Sequence, residues 1–368
     1  LTPEEQARLD ELNEKKKNLM TIMLLFFSLG IFAQTHNHAT TDSTQVAVQP
    51  RMQQLPTTKQ IDSLISKFKV DEEHARKFSR LIIQDAGGRM KPVHTFSSEL
   101  LRKVSKSETY NDLNSDQAFI SMTQFPTLWF HVPIISIKKQ NDSLHNILGI
   151  EKGAKFAKLV DFFDQVGNYK LAAYLEEAYQ APVPNQFQKD FMEADKKISL
   201  LNLALSGQVL KVFPIPYDKN NKWVSFPELG ESGIRGVDST FTKNVIPLYL
   251  NSLDLTFKGQ NYDAANNYLD GLIKFQKKYG SEIYPTDNKI EAEIYYNDHD
   301  IFRSLFSWYL YAGLLMFVVV IAKIFWNNKP LNILAKVFAA VIILLFVLHT
   351  LGLIARWYIS GHAPWSDA

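Results

Sequence analysis

One ionisable side chain stands inside the apolar stretch 337–355, His349. An ionisable residue at membrane depth is costly against lipid and as a rule faces a protein interior or a cavity. Arg356 follows seven residues later, close to two helical turns, with Gly352 between them on roughly the same face. A helix here carries a narrow polar stripe with two readings: Arg356 snorkels to the interface while His349 bonds a neighbouring helix, or the stripe is a wall facing a cofactor. Just beyond, Ser360-Gly361-His362-Ala363-Pro364-Trp365-Ser366 sets a glycine, an imidazole, a proline and an indole at the membrane surface. That segment reads either as an interfacial loop or as a lip that handles a porphyrin.

The other candidates are blander. Gln84-Asp85-Ala86-Gly87-Gly88-Arg89-Met90-Lys91-Pro92 combines a glycine pair, two cations and a proline ahead of a helix expected near Thr95, so the turn could receive an anion. It lacks the Gly-Lys-Ser/Thr ending of a phosphate loop, and a tight turn into a helix cap is the simpler reading. His36 and His38 stand two apart without a carboxylate or cysteine to complete a metal site. His74, His94, His131, His145 and His299 are scattered singly and read as structural. No hydrolytic triad or paired-carboxylate pattern is seen, so no catalytic and no metal residue is assigned. The absence of cysteine removes disulfides, thiolate metal sites and thiol nucleophiles; thiol chemistry must come from a partner. With 40 basic and 38 acidic residues the net charge of +2 gives no reason to invoke nucleic acid.

The elements that must position these residues begin with three hydrophobic segments. The run 19–33 is uncharged but spans only about 22 Å as a helix, short of a core of about 30 Å. A charged helix precedes it, opened by Thr2-Pro3-Glu4-Glu5, and Lys15, Lys16 and Lys17 form a collar that places residues 1–18 in the cytoplasm. The run reads as a short transmembrane helix or as a signal that is cleaved after Ala33. Residues 308–326 form a full span with tryptophan at both ends, and 337–358 form another. Between them lies a loop, 327–336, whose lysines mark the cytoplasmic side. The chain starts at Leu1 rather than Met and stops at Ala368 just past an apolar run, and it reads as an excerpt with both termini missing.

Between the first and second spans, residues 34–58 form a flexible linker rich in Thr, Gln, Asp and Pro. Residues 59–307 form an extracytoplasmic domain in which helical spacing dominates. Ile61, Leu64, Ile65 and Phe68 fall on one helix face, as do Phe156, Leu159, Val160 and Phe163, and again Phe187, Phe191, Ile198 and Leu201. Two helices between Phe241 and Lys278, with Gly259 as a stop between them and Gly280 as a stop after the second, predict a helical hairpin. Strand signals at 209–215 and 223–226 flank Asp218-Lys219-Asn220-Asn221 and predict a β-hairpin, and 128–137 also reads as a strand. The fold class is therefore a mainly α membrane protein with three hydrophobic helices, a mostly helical extracytoplasmic domain and a small β element.

The stretch Leu351-Gly352-Leu353-Ile354-Ala355-Arg356-Trp357-Tyr358-Ile359 running into Ser360–Ser366 resembles the signature entering the core of CcsA-type cytochrome c biogenesis proteins. The order of parts, including Gly87-Gly88-Arg89-Met90-Lys91-Pro92 and the helix after it, resembles bacterial proteins that fuse a ResB-like portion to CcsA. The resemblance implies a system II holocytochrome c synthase of heme lyase type in the bacterial inner membrane, multi-pass, with its large domain in the periplasm. Such a protein exports heme and presents it to apocytochrome c, whose Cys-x-x-Cys-His thiols form the thioether bonds. It further implies heme as cofactor, with apocytochrome c, the rest of the ResB/CcsA assembly and membrane lipid as partners. By motif it assigns Arg356, Gly361, His362 and Pro364 to the cofactor side, with His349 added on position; Trp365 departs from the family's usual apolar residue there. The family's Trp-rich heme loop has no counterpart before Ala368, so the excerpt is not expected to bind or attach heme unaided. The alternative is a membrane-tethered helical scaffold without cofactor.

Overall fold

The computed structural model describes residues 56–326 and 328–361. The hydrophobic run 19–33, most of the linker 34–58, the His36/His38 pair, and His362, Pro364 and Trp365 lie outside the described residues. Within them the chain is mainly helical, divides into two units, and carries two helices near its C-terminal end that are long and apolar enough to cross a membrane.

The first unit comprises described residues 56–71 and 100–209. Four of its helices start where a short polar side chain, Thr57, Asn114, Asn141 or Asn185, accepts a free N–H of the first turn. Helix α1 (Thr58–Lys67) opens on a capping box in which Gln60 Oε1 accepts the Thr57 N–H at 2.8 Å, and it buries Ile61 and Ile65. After helix α2 (Glu72–Ser79), strands β1 (Ile82–Gln84) and β2 (Met90–Pro92), helix α3 (Val93–Ser105) and a hairpin of β3 (Thr109–Tyr110) with β4 (Leu113–Asn114), helix α4 (Ser115–Gln124) repeats the device with Asn114 and Gln117. The same Gln117 donates from Nε2 to the Val70 carbonyl at 2.7 Å. The short helix α5 (Pro126–Trp129) follows. Residues 128–137, expected as one strand, hold the end of that helix and only a two-residue strand, β5 (Ile135–Ser136). Pro126 supplies the helical φ at a first turn, and the fully buried Trp129 anchors it by donating from Nε1 to Ser121 Oγ at 3.0 Å.

The helix expected through Phe156 and Phe163 is also absent. Strand β6 (Phe156–Ala157) pairs antiparallel with β5, and a 3-10 turn, Leu159–Phe162, follows it. The 3-10 turn buries Leu159 and Phe162, so the i, i+3 spacing serves a tighter turn than the α-helix it suggests. Helix α6 (Asp142–Leu148) lies between the two strands, and its fully buried His145 is used at both ring nitrogens, by the Asn141 carbonyl at 2.7 Å and the Ala154 carbonyl at 3.0 Å. Helices α7 (Ala172–Gln180) and α8 (Gln186–Leu205) pack as a pair, and the Tyr169 and Tyr179 hydroxyls both donate to the Asp195 carboxylate on α8.

The second unit comprises described residues 72–99 and 210–361. Strands β1 and β2 form a hairpin, and the expected second hairpin is present as β7 (Phe213–Pro214) with β8 (Trp223–Val224). Gln84 joins the two: its Oε1 accepts the Trp223 N–H at 2.8 Å and its Nε2 donates to the Asn221 carbonyl at 3.1 Å. The predicted helical hairpin is α9 (Gly236–Thr256) with α10 (Asp263–Tyr279). Gly259, at φ +93°, takes the left-handed conformation that a helix-ending glycine provides. Gly280 does not. Its φ is −103°, and a Cβ there would collide with the Trp223 indole, so this position needs space rather than conformational freedom. His74 sits 3.0 Å from the Tyr249 hydroxyl and 3.0 Å from Asn266 Oδ1, as befits a structural histidine.

Helix α11 (Asp287–His299) then leads into α12 (Ile301–Phe325) through Asp300, whose left-handed backbone (φ 37°) redirects the chain, and α13 (Lys329–Ser360) returns antiparallel to α12. Both helices exceed their apolar runs. Residues 329–336, read from the sequence as loop, are the first turns of α13, because Asn328 accepts the Leu331 N–H and Pro330 suits an N-terminal position. Phe317, Ile343 and Phe346 are more than three-fifths exposed, a surface suited to lipid or to further apolar helices and not to water.

Candidate functional site at the membrane-proximal seam

His349 and Gly352 of the polar stripe of α13 face the start of α12, while Arg356 is exposed. The His349 ring is half-buried, 5.0 Å from the Phe302 ring and 6.3 Å from Tyr309 in an edge-on arrangement. No hydrogen bond reaches either of its ring nitrogens among the described residues, so the expected bond to a neighbouring helix is not made there. One turn on, Gly352 is buried, and a Cβ on it would lie 3.4 Å from the Phe302 ring and 3.5 Å from Ile301 Cγ2. Gly352 therefore lets α13 come close to the start of α12, and Phe302 serves both His349 and Gly352.

Arg356 is exposed, yet its charge is felt by Tyr296 on α11. Burial raises the Tyr296 pKa, Arg356 opposes that rise and Asp300 adds to it. Gly361 ends α13 in the left-handed conformation (φ +78°), with its N–H bonded to the Trp357 carbonyl at 2.8 Å. A Cβ on Gly361 would lie 3.9 Å from Lys289 Nζ. The sequence reading did not single out Lys289, Tyr296 or Phe302. Nothing local marks these three: they act through proximity created by the fold.

The seam continues along α11. Its buried Glu293 accepts from Arg89 Nη2 at 2.6 Å and from Thr95 Oγ1 at 3.1 Å, His94 Nε2 lies 2.8 Å from Asp298, and Arg80 pairs with Glu291. Burial pushes the Glu293 carboxyl above its usual range, opposed by Arg89, Thr95 and Lys91. The Gly87-Gly88 turn itself offers no cradle for an anion. Asp85 Oδ1 already accepts the N–H groups of Gly87 at 2.9 Å and Arg89 at 3.0 Å, and Gly88 (φ +82°) supplies the left-handed residue of a tight turn. This unusual stretch thus has a structural role: it holds α11, the helix that leads into the apolar pair α12 and α13.

No group of three or more metal-ligating side chains occurs among the described residues. A polar recess of about 240 Å³ between Lys277, Tyr284 and Asp287 is open to solvent and smaller than the roughly 300–1,000 Å³ of typical small-molecule sites. What the seam offers chemically is one imidazole with free nitrogens, an aromatic wall and two cations near the end of α13.

No family model matches the chain. The chain is 30% identical over 301 residues, 81% of its length, to Protein NrfI of Wolinella succinogenes, and the match covers 32% of that protein. The chain thus spans about a third of the length of the curated relative it matches.

Proposed function

We propose that the chain takes part in cytochrome c maturation, as the part of a system II protein that carries an extracytoplasmic domain and brings His349 and Arg356 to the outer end of a membrane hairpin. The observation that carries this is the half-buried His349, whose ring nitrogens have no hydrogen-bonding partner among the described residues while its ring rests against Phe302 and Tyr309. An imidazole at membrane depth that is not spent on structure is a functional group in waiting. Charge supports the orientation: Lys323, Lys329 and Lys336 gather at the turn joining α12 to α13, and by the positive-inside tendency that end is cytoplasmic and the folded domain external.

The residues fit one side of a heme site and not an enclosing pocket. His349 would supply a nitrogen donor, Phe302 and Tyr309 an aromatic wall, and Arg356 a cation for carboxylates. Bound heme supplies the groups to which a client's Cys-x-x-Cys-His thiols become bonded, and the lack of cysteine in this chain agrees with thiols arriving on the client. Gly361, His362 and Pro364 would continue the site outward, with apocytochrome c and the remaining ResB/CcsA portions completing it. In the full-length protein, His349→Ala is expected to lower co-purifying heme severalfold, measured as hemochrome absorbance per protein, with helicity unchanged. Equal heme content in the variant would contradict the assignment. The second reading, a tethered scaffold without cofactor, is favoured by the small and open recess of the folded domain; it predicts that equal heme content.

A further inference from the structure

In the first unit, three lysines from three elements converge on one carboxylate. Glu193 Oε1 lies 2.8 Å from Lys197 Nζ and 3.6 Å from Lys106 Nζ, and Glu193 Oε2 lies 3.8 Å from Lys138 Nζ. Lys197 and Glu193 are one turn apart on α8, Lys138 follows β5, and Lys106 follows α3. Elsewhere among the described residues Lys69 with Asp112 and Lys277 with Asp287 match one cation to one anion, and Lys91 meets two carboxylates, Asp85 and Glu99. Asp190 lines the same recess and adds a second negative charge, since the amides of Asn141 at 3.2 Å and Gln186 at 2.8 Å hold its carboxylate without neutralising it; three cations thus face two anions.

The three lysines differ in role. Lys197 is buried and spent, donating to the Ser136 carbonyl at 2.7 Å, to Ser136 Oγ at 2.9 Å and to Glu193. Lys106 and Lys138 are more than half exposed, and their ammonium groups stand at the surface. Lys106 also holds a left-handed backbone (φ 63°) at the end of α3, a position where glycine is the unstrained choice. Strain retained at a charged, exposed residue points to a use for that charge. The recess beneath the cluster has about 10 Å³, room for one water and not for a small ligand. A flat cationic surface without a cavity suits a macromolecular partner, steered by charge, better than a small anion.

We propose that Lys106, Lys138 and the Glu193–Lys197 pair beneath them form a docking point for an acidic polypeptide segment, whose neighbouring carboxylates take up the positive charge that Glu193 and Asp190 leave uncompensated. The site is independent of the heme-facing stripe. The test is fluorescence anisotropy of a labelled hexaglutamate peptide on the whole chain in a non-ionic detergent, at low salt. The variant Lys106→Gly with Lys138→Gln removes two cations while relieving the backbone at residue 106, so lost binding cannot be ascribed to unfolding. It is expected to weaken binding about tenfold, the equivalent of two exposed ion pairs. A control removing two exposed lysines elsewhere, Lys219→Gln with Lys243→Gln, stays within about twofold. Equal affinity in the Lys106/Lys138 variant overturns the proposal. So does inorganic phosphate that displaces the peptide at the peptide's own concentration, because the cluster would then be a small-anion site.

Discussion

Glu293 shows how one buried carboxyl links the Gly-Gly turn to the membrane-proximal helix. Its pKa lies above the usual glutamate value of 4.5 because burial outweighs the help of Arg89, Thr95 and Lys91. A raised folded-state pKa means that the native protein holds its proton where the unfolded chain has released it. Stability from this group is therefore greatest below 4.5 and declines as pH rises through the folded value. Glu293→Gln, which keeps an acceptor for Arg89 and Thr95, is expected to flatten that decline in thermal melts taken from pH 4.5 upward. Parallel curves for the two proteins would exclude Glu293 as its source. None of this was legible in the sequence, where Glu293 lies 204 residues from Arg89 and no local spacing pairs them. His349 does stand out in the sequence, as a lone imidazole in an apolar run, and its role is part of the proposal.

At the scale of elements, the sequence is most readable where periodicity is long. α8, α9, α10, α12 and α13 all contain the helical or apolar runs expected for them, and the β7–β8 hairpin follows its Asp-Lys-Asn-Asn turn. It misleads where elements are a turn or two long: the apolar run 128–137 holds a helix end and a two-residue strand, and the i, i+3 spacing at 156–163 fits a 3-10 turn as well as a helix. Glycine meaning is also ambiguous: Gly259 ends a helix by conformation and Gly280 by making room for Trp223. Gly280→Ala is accordingly expected to destabilise the second unit by about 1–3 kcal/mol, the usual cost of overpacking, measured by denaturant melts followed on tryptophan fluorescence. An unchanged midpoint would mean that Trp223 moves aside freely.

For the whole molecule, the notable arrangement is that α11 is held on one side by Arg89, Thr95 and His94 and on the other meets the helix that carries His349, Gly352 and Arg356. A helix so tied brings the folded part of the second unit up against the end of the hairpin remote from the α12–α13 turn, where the cofactor-facing residues are proposed to act. Arg356 could be singled out from the sequence, while the stripe's neighbours on α11 and α12 come only from the fold. The most direct measurement is covalent heme on a reporter apocytochrome c made alongside the full-length protein carrying Arg356→Ala or His362→Ala, at matched protein levels. The account predicts a loss of at least about tenfold for each variant, the scale on which groups that orient a bound metal centre are felt. Reporter heme equal to that of the unsubstituted protein would contradict it.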